Sequence, residues 1–121
     1  MMHSMRVFLC DDNAGYRSLT RIVLQDHHEI VGEAADGVEA IERAPAAEPD
    51  VLLLDLNMPR LSGQDALPQL RAILNTTKII ILTTGRTEDE RRRALEAGAD
   101  GFIVKPESVF SLPEQLQQAL D

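Results

Sequence analysis

The run Val51-Leu52-Leu53-Leu54-Asp55-Leu56-Asn57-Met58-Pro59-Arg60-Leu61-Ser62-Gly63 decides the fold. Four apolar residues in succession leave no polar face, which is the pattern of a parallel strand covered on both sides. The run ends on an ionisable carboxylate, Asp55. In an open parallel sheet, ligands bind in the crevice beyond the carboxyl ends of the strands, so Asp55 is placed to act there. The first apolar run, Val7-Phe8-Leu9-Cys10, also ends on acid, Asp11-Asp12. Three carboxylates converging in one crevice repel one another unless a cation neutralises them. The pattern predicts a divalent metal held beside one reactive aspartate.

Outward from this stretch, short apolar runs alternate with longer amphipathic ones. Strands are expected at Met5–Cys10, Glu29–Ala35, Val51–Asp55, Lys78–Thr83 and Gly101–Val104. Ile79-Ile80-Ile81-Leu82 repeats the fully apolar pattern of the third strand. Leu19, Ile22, Val23 and Asp26 follow helical spacing, as do Leu67, Leu70, Ile73 and Leu74. Leu112, Leu116, Ala119 and Leu120 share one face of the last helix. Thr87-Glu88-Asp89-Glu90 and Ser111-Leu112-Pro113-Glu114 match the capping box, and Asp36-Gly37-Val38-Glu39 resembles a capped start. Pro45 and Pro49 are expected to bracket the exit from the second helix, since proline cannot continue one. Gly98 follows the fourth helix, where a left-handed cap favours glycine. Five β-α repeats in 121 residues predict an α/β three-layer sandwich with right-handed crossovers. The expected domain is 5–121. Residues 1–4 read as a disordered or vector-derived lead-in.

Composition narrows the function classes. A hydrophobic fraction of 44% with 3% aromatic residues predicts an aliphatic core. The net charge of -8 argues against nucleic-acid binding by this chain alone, because phosphate contacts need Lys and Arg. The single Cys10 lies within a strand pattern and reads as a small core hydrophobe in a reducing compartment. No apolar stretch approaches the ~20 residues that span a bilayer, and Met1–Met5 lacks the apolar region of a signal peptide. The expected location is the cytoplasm, away from membranes.

Four features fall on strand ends: Asp11-Asp12, Asp55, Thr83 and Lys105-Pro106. With their surroundings they resemble the receiver domain of two-component response regulators, over nearly the whole chain. The segments carrying the likeness are Phe8-Leu9-Cys10-Asp11-Asp12-Asn13, Asp55-Leu56-Asn57-Met58-Pro59 with Gly63, Ile81-Leu82-Thr83-Thr84, and Ala97-Gly98-Ala99-Asp100-Gly101-Phe102-Ile103-Val104-Lys105-Pro106. The resemblance implies a flavodoxin-like sheet of order 2-1-3-4-5 with five helices. It implies phosphorelay signalling, in which Asp55 takes a phosphoryl group from a sensor histidine kinase or phosphotransfer protein. Mg²⁺, with Mn²⁺ as a substitute, would be held by Asp12, Asp55 and the backbone carbonyl of Asn57, with Asp11 acting through water. Thr83 and Lys105 would meet the phosphoryl group, and the Lys105-Pro106 peptide would be cis. Phe102 falls at the position of the aromatic switch residue. Asn57, Thr84 and Gly85 would tune phosphate lifetime. Such a domain is not an enzyme beyond catalysing its own phosphorylation and dephosphorylation. Partners would dock on the fourth helix, fifth strand and fifth helix, and phosphorylation could drive homodimerisation there.

Simple physics supports these roles. A carboxylate is a poor nucleophile toward an anionic phosphoryl group until a cation removes the repulsion. Phosphoryl transfer asks mainly for positioning and charge neutralisation, so a metal and one lysine can suffice. Blander readings exist: Asp11 and Asp12 as helix caps, Lys105 as a surface lysine, Thr84 in place of Thr83, Phe102 as plain core. His3, His27 and His28 lack metal-ligand spacing, and Arg91-Arg92-Arg93 fits a solvated helix face. Two other functions compete. An aspartyl-phosphate phosphohydrolase would need a second aspartate two residues after Asp55, where Asn57 stands. A receiver-like scaffold working without phosphorylation would not need every charged position filled.

Overall fold

The unbroken apolar runs form the middle of a parallel sheet, and everything else is placed by the need to cover its two faces. This computed structural model describes residues 4–85 and 87–121. In chain order the elements are β1 (Arg6–Cys10), α1 (Ala14–Leu24), β2 (Glu29–Ala34), α2 (Gly37–Ala47) and β3 (Val51–Leu54), followed by α3 (Gly63–Ile73), β4 (Lys78–Thr83), α4 (Glu88–Glu96), β5 (Gly101–Val104) and α5 (Leu112–Leu120). A short 3-10 turn at Val109–Ser111 leads into α5. All neighbouring strands pair in parallel, in the order β2-β1-β3-β4-β5. That is the expected topology.

Side chains alternate across the pleat, so each strand feeds two cores. Phe8, Leu52, Leu54, Ile79 and Ile81 face Ala40, Ala44, Leu67, Leu70 and Ala94 of α2, α3 and α4. Val7, Leu9, Leu53, Ile80, Leu82 and Ile103 face Val23, Leu24, Leu112 and Leu116 of α1 and α5. Cys10 is buried in the first cluster, and burial pushes its thiol far above the usual range. Among the described residues no helix is long and apolar enough to cross a membrane.

Several helix details differ from the sequence reading. On α1 the buried residues are Thr20, Val23 and Leu24, while Leu19 and Ile22 are 48% and 54% exposed and Asp26 lies past the helix end. The cause is Thr20, whose hydroxyl donates to the Tyr16 carbonyl at 2.9 Å and can therefore be buried. Counting apolar letters alone rotates the helix by one position. On α3, Leu67, Leu70 and Leu74 are buried but Ile73 is 46% exposed. Helix α2 runs through Pro45 to Ala47 rather than ending at it. Pro45 is exposed in the last turn, where a missing amide and the bulk of the ring disrupt the helix least. The expected capping box at Ser111 is absent, because that residue is already helical and its hydroxyl donates to the Ser108 carbonyl at 3.0 Å. The box at Thr87 does form. Asp36 caps α2 as expected, accepting from the Glu39 amide at 2.9 Å, while Glu39 reaches past it to accept from the Ala35 amide at 2.8 Å. Gly98 follows α4 at φ +116, beyond the comfortable reach of other residues.

The turn after β3 folds back tightly on the strand that precedes it. The Gly63 amide donates to the Leu56 carbonyl at 2.9 Å, and a Cβ at Gly63 would lie 1.9 Å from the Asp55 carbonyl oxygen. Only glycine permits that approach. Arg60, at φ +63, forks onto the Asp36 carboxylate with contacts of 2.8 and 3.1 Å. The turn carrying Asn57 is thereby tied to the start of α2, and the same guanidinium holds the Asp36 carboxyl below its ordinary pKa.

Candidate functional site

β1, β3, β4 and β5 all point their carboxyl ends toward one edge, and each delivers one part of the site. Parallel pairing of Cys10 with Leu54, and of Thr83 with Val104, brings the residues that follow these strands side by side. Asp11, Asp12 and Asp55 each offer a carboxylate oxygen, and these oxygens lie within 4.8 Å of one another. Asp11 and Asp55 are buried while Asp12 faces solvent.

Lys105 closes the group. Its Nζ lies 2.7 Å from Asp11 Oδ2 and 3.0 Å from Asp55 Oδ2. Asp55 is gripped at its other oxygen as well, where Oδ1 accepts from the Thr83 hydroxyl at 2.9 Å and from the Asn57 amide at 3.1 Å. Asp11 Oδ1 accepts from the Asn13 amide at 2.9 Å. Burial raises the Asp11 pKa, with Lys105 and the Asn13 amide opposing the rise. Burial would lower that of Lys105, but its hydrogen bonds to Asp11 and Asp55 outweigh this and raise it. Burial thus wins at Asp11, while the paired carboxylates win at Lys105.

The other expected residues fall as follows. Thr83 is fully buried and its hydroxyl donates to Asp55, whereas Thr84 is exposed. Asn57 is exposed beside Asp55. Gly85 is half-buried against the Glu90 carboxylate of α4. Phe102 is half-buried, packed on the core cluster that contains Ile81 and bordering an outer groove with Gln115, Gln118 and Ala119. The Lys105–Pro106 peptide is trans, against the expectation of a cis bond. Trans is the lower-energy form by about 0.5–1 kcal/mol, and Lys105 reaches both carboxylates with it.

Two contributors were not singled out from sequence. Arg17 of α1 donates through Nη1 to the Asp11 carbonyl at 2.6 Å and through Nε to Glu33 at 2.7 Å, and Arg21 pairs with the same Glu33. These contacts hold the acidic turn after β1 against β2 and depress the Glu33 pKa despite its partial burial. Tyr16 lies under Lys105, with Nζ 4.4 Å from the ring centroid. The signal available was position: Asn13 caps α1, so residues one turn later face the same loop.

A doubly wound sheet with a carboxylate trio, a buried hydroxyl and a lysine at its carboxyl edge is the framework of an aspartate-centred signalling domain. The family model described as response regulator receiver domain matches residues 7–120, and the chain belongs to that family. It is 34% identical over 115 residues to the chemotaxis protein CheY of Halobacterium salinarum, covering 95% of this chain and 96% of that one. It is 37% identical over 120 residues to the nitrate/nitrite response regulator protein homolog of Haemophilus influenzae, covering 98% of this chain and 58% of that one. The chain spans little more than half the length of several such regulators. The crystal structure of the response regulator domain of Thermotoga maritima CheB matches with a TM-score of 0.86 at 31% identity, covering 98% of this chain and 95% of that one. The chain is thus a receiver domain of two-component response regulators, a phosphorelay signalling module, and the phosphohydrolase and scaffold readings are not favoured.

Receiver domains bind Mg²⁺ at an acidic pocket, and the donor set here fits that ion. Its oxygens are hard ligands, and three carboxylates against one ammonium leave a net negative site.

Proposed function

We propose that Asp55 accepts a phosphoryl group, in a reaction this chain catalyses on itself, and that the modified residue then reshapes an outer surface. The observation that carries the reading is the convergence of Thr83, Asn57 and Lys105 on the two oxygens of Asp55. A buried carboxylate held at both oxygens by donors is pre-aimed, and these donors suit the oxygens of a phosphoryl group equally well.

Asp12, Asp55 and the Asn57 carbonyl would ligate Mg²⁺, or Mn²⁺ in its place, with Asp11 acting through water. When bound, the ion neutralises the repulsion between carboxylate and phosphoryl oxygens. An Asp55 oxygen attacks phosphorus as the bond from phosphorus to its donor atom breaks, so the electron pair leaves with the donor. Lys105 Nζ exchanges its carboxylate contact for a phosphoryl oxygen. Thr83 Oγ1 turns to donate to another. Moving Thr83 changes the space behind it, which Phe102 would fill as the switch residue; lacking a hydroxyl, it answers to packing alone. Asn57, Thr84 and Gly85 would border the approach and set how fast water removes the phosphate.

The donor would be a phosphohistidine on a sensor kinase or phosphotransfer protein. The responding face would be α4, β5 and α5, and homodimerisation through it on phosphorylation is part of the proposal, as are a cytoplasmic setting and a domain span of 5–121. Of the expected lead-in, residues 1–3 lie outside those described. Incubation with a small phosphodonor and Mg²⁺ should add one phosphoryl mass. EDTA or Asp55→Ala should abolish it, and an adduct that survives Asp55→Ala would defeat the reading.

A further inference from the structure

Tyr16 presents its ring to the Lys105 ammonium at 4.4 Å, inside the roughly 6 Å range over which a cation is attracted to an aromatic face. The same ammonium touches Asp11 and Asp55, so three groups fix one charge. The hydroxyl of Tyr16 is buried and makes no hydrogen bond among the described residues. An unpaired buried hydroxyl is unfavourable, so no polar contact explains a tyrosine here. What remains is the ring. It could serve only as packing, since it borders the cluster of Leu9, Val23 and Leu112.

The chemistry at Asp55 separates these explanations. Lysine carries its charge on a flexible four-carbon stem, and holding it in one place costs rotamer entropy. The carboxylate contacts that hold it at rest cannot all persist, because Asp55 becomes an acyl phosphate. The ring itself is chemically unaltered by that step. Being uncharged, the ring also leaves the full positive charge for the incoming phosphoryl group, which a further carboxylate would not.

We infer that Tyr16 is a positioning residue whose ring anchors the Lys105 ammonium throughout phosphoryl transfer and thereby sets the rate at which Asp55 is modified. The inference rests on the reading of Asp55 given above. The full chain, Tyr16→Phe and Tyr16→Leu are compared in two ways. Without metal, the Lys105 ε-methylene proton resonances are located by NMR. They should lie upfield of ordinary lysine in the unmodified chain and in Tyr16→Phe, and return toward it in Tyr16→Leu. With acetyl phosphate and Mg²⁺, Tyr16→Phe should keep its phosphorylation rate within about twofold, and Tyr16→Leu should lose roughly 3–30-fold, the range such a contact carries. An ordinary Lys105 shift in the unmodified chain overturns the inference even if Tyr16→Leu does not fold. Equal rates in a folded Tyr16→Leu overturn the Tyr16 role while leaving Asp55 intact. No adduct on the unmodified chain overturns the Asp55 reading and this one with it.

Discussion

Lys105 meets two carboxylates and an aromatic ring at once, and the balance of those contacts defines the resting site. Its presence was legible because a lysine before a proline at a strand end is a narrow pattern; its ring partner was not, because no spacing rule links α1 to the segment after β5. A second titrating residue acts far from the chemistry. His28 is buried, and its Nδ1 accepts from the Met5 amide at 3.1 Å, fastening the start of β1. Burial, with a lesser push from His27, lowers its pKa below 6.5. The folded state therefore prefers neutral His28 and an unfolded chain takes its proton first. The stability this contributes is complete above the unfolded value and declines as pH falls through the folded one. Urea unfolding from roughly pH 7.5 to pH 5.5 should show falling stability, less steeply in His28→Gln. Identical slopes in the two proteins would remove His28 from the explanation.

The elements divide by the kind of signal that encodes them. β3 and β4 were readable because four successive apolar residues admit few alternatives. The α1 face was not, because a threonine that bonds to its own helix counts as polar by letter and apolar by environment. Pro45 misled for a related reason, since the rule against helical proline weakens in an exposed last turn. The turn from β3 to α3 is the element on which the site depends most. Gly63→Ala would force a methyl into the Asp55 carbonyl, with only backbone available to yield. We expect a loss of about 3 kcal/mol or more in chemical denaturation, at the upper end for single substitutions, together with impaired phosphorylation. A loss below about 0.5 kcal/mol, typical of a surface site, would show that the turn has room to open.

Across the whole molecule, one topology serves both stability and chemistry. Two aliphatic cores clamp the sheet. The order β2-β1-β3-β4-β5 sets β1 beside β3 and β4 beside β5. Their carboxyl ends then concentrate three acids, a hydroxyl and an ammonium at one edge, an arrangement that is electrostatically costly without a cation and well aimed with one. Sequence made that convergence legible because each group sits at the end of an apolar run, while the clamps that steady it, Arg17 on Glu33 and Arg60 on Asp36, depend on folding of remote segments. The most direct test of the central claim is to locate the phosphoryl group. Borohydride reduction of the phosphorylated chain, followed by peptide mass spectrometry, should convert Asp55 alone to homoserine. Homoserine at Asp11 or Asp12, or none in a chain that has gained phosphoryl mass, would contradict it.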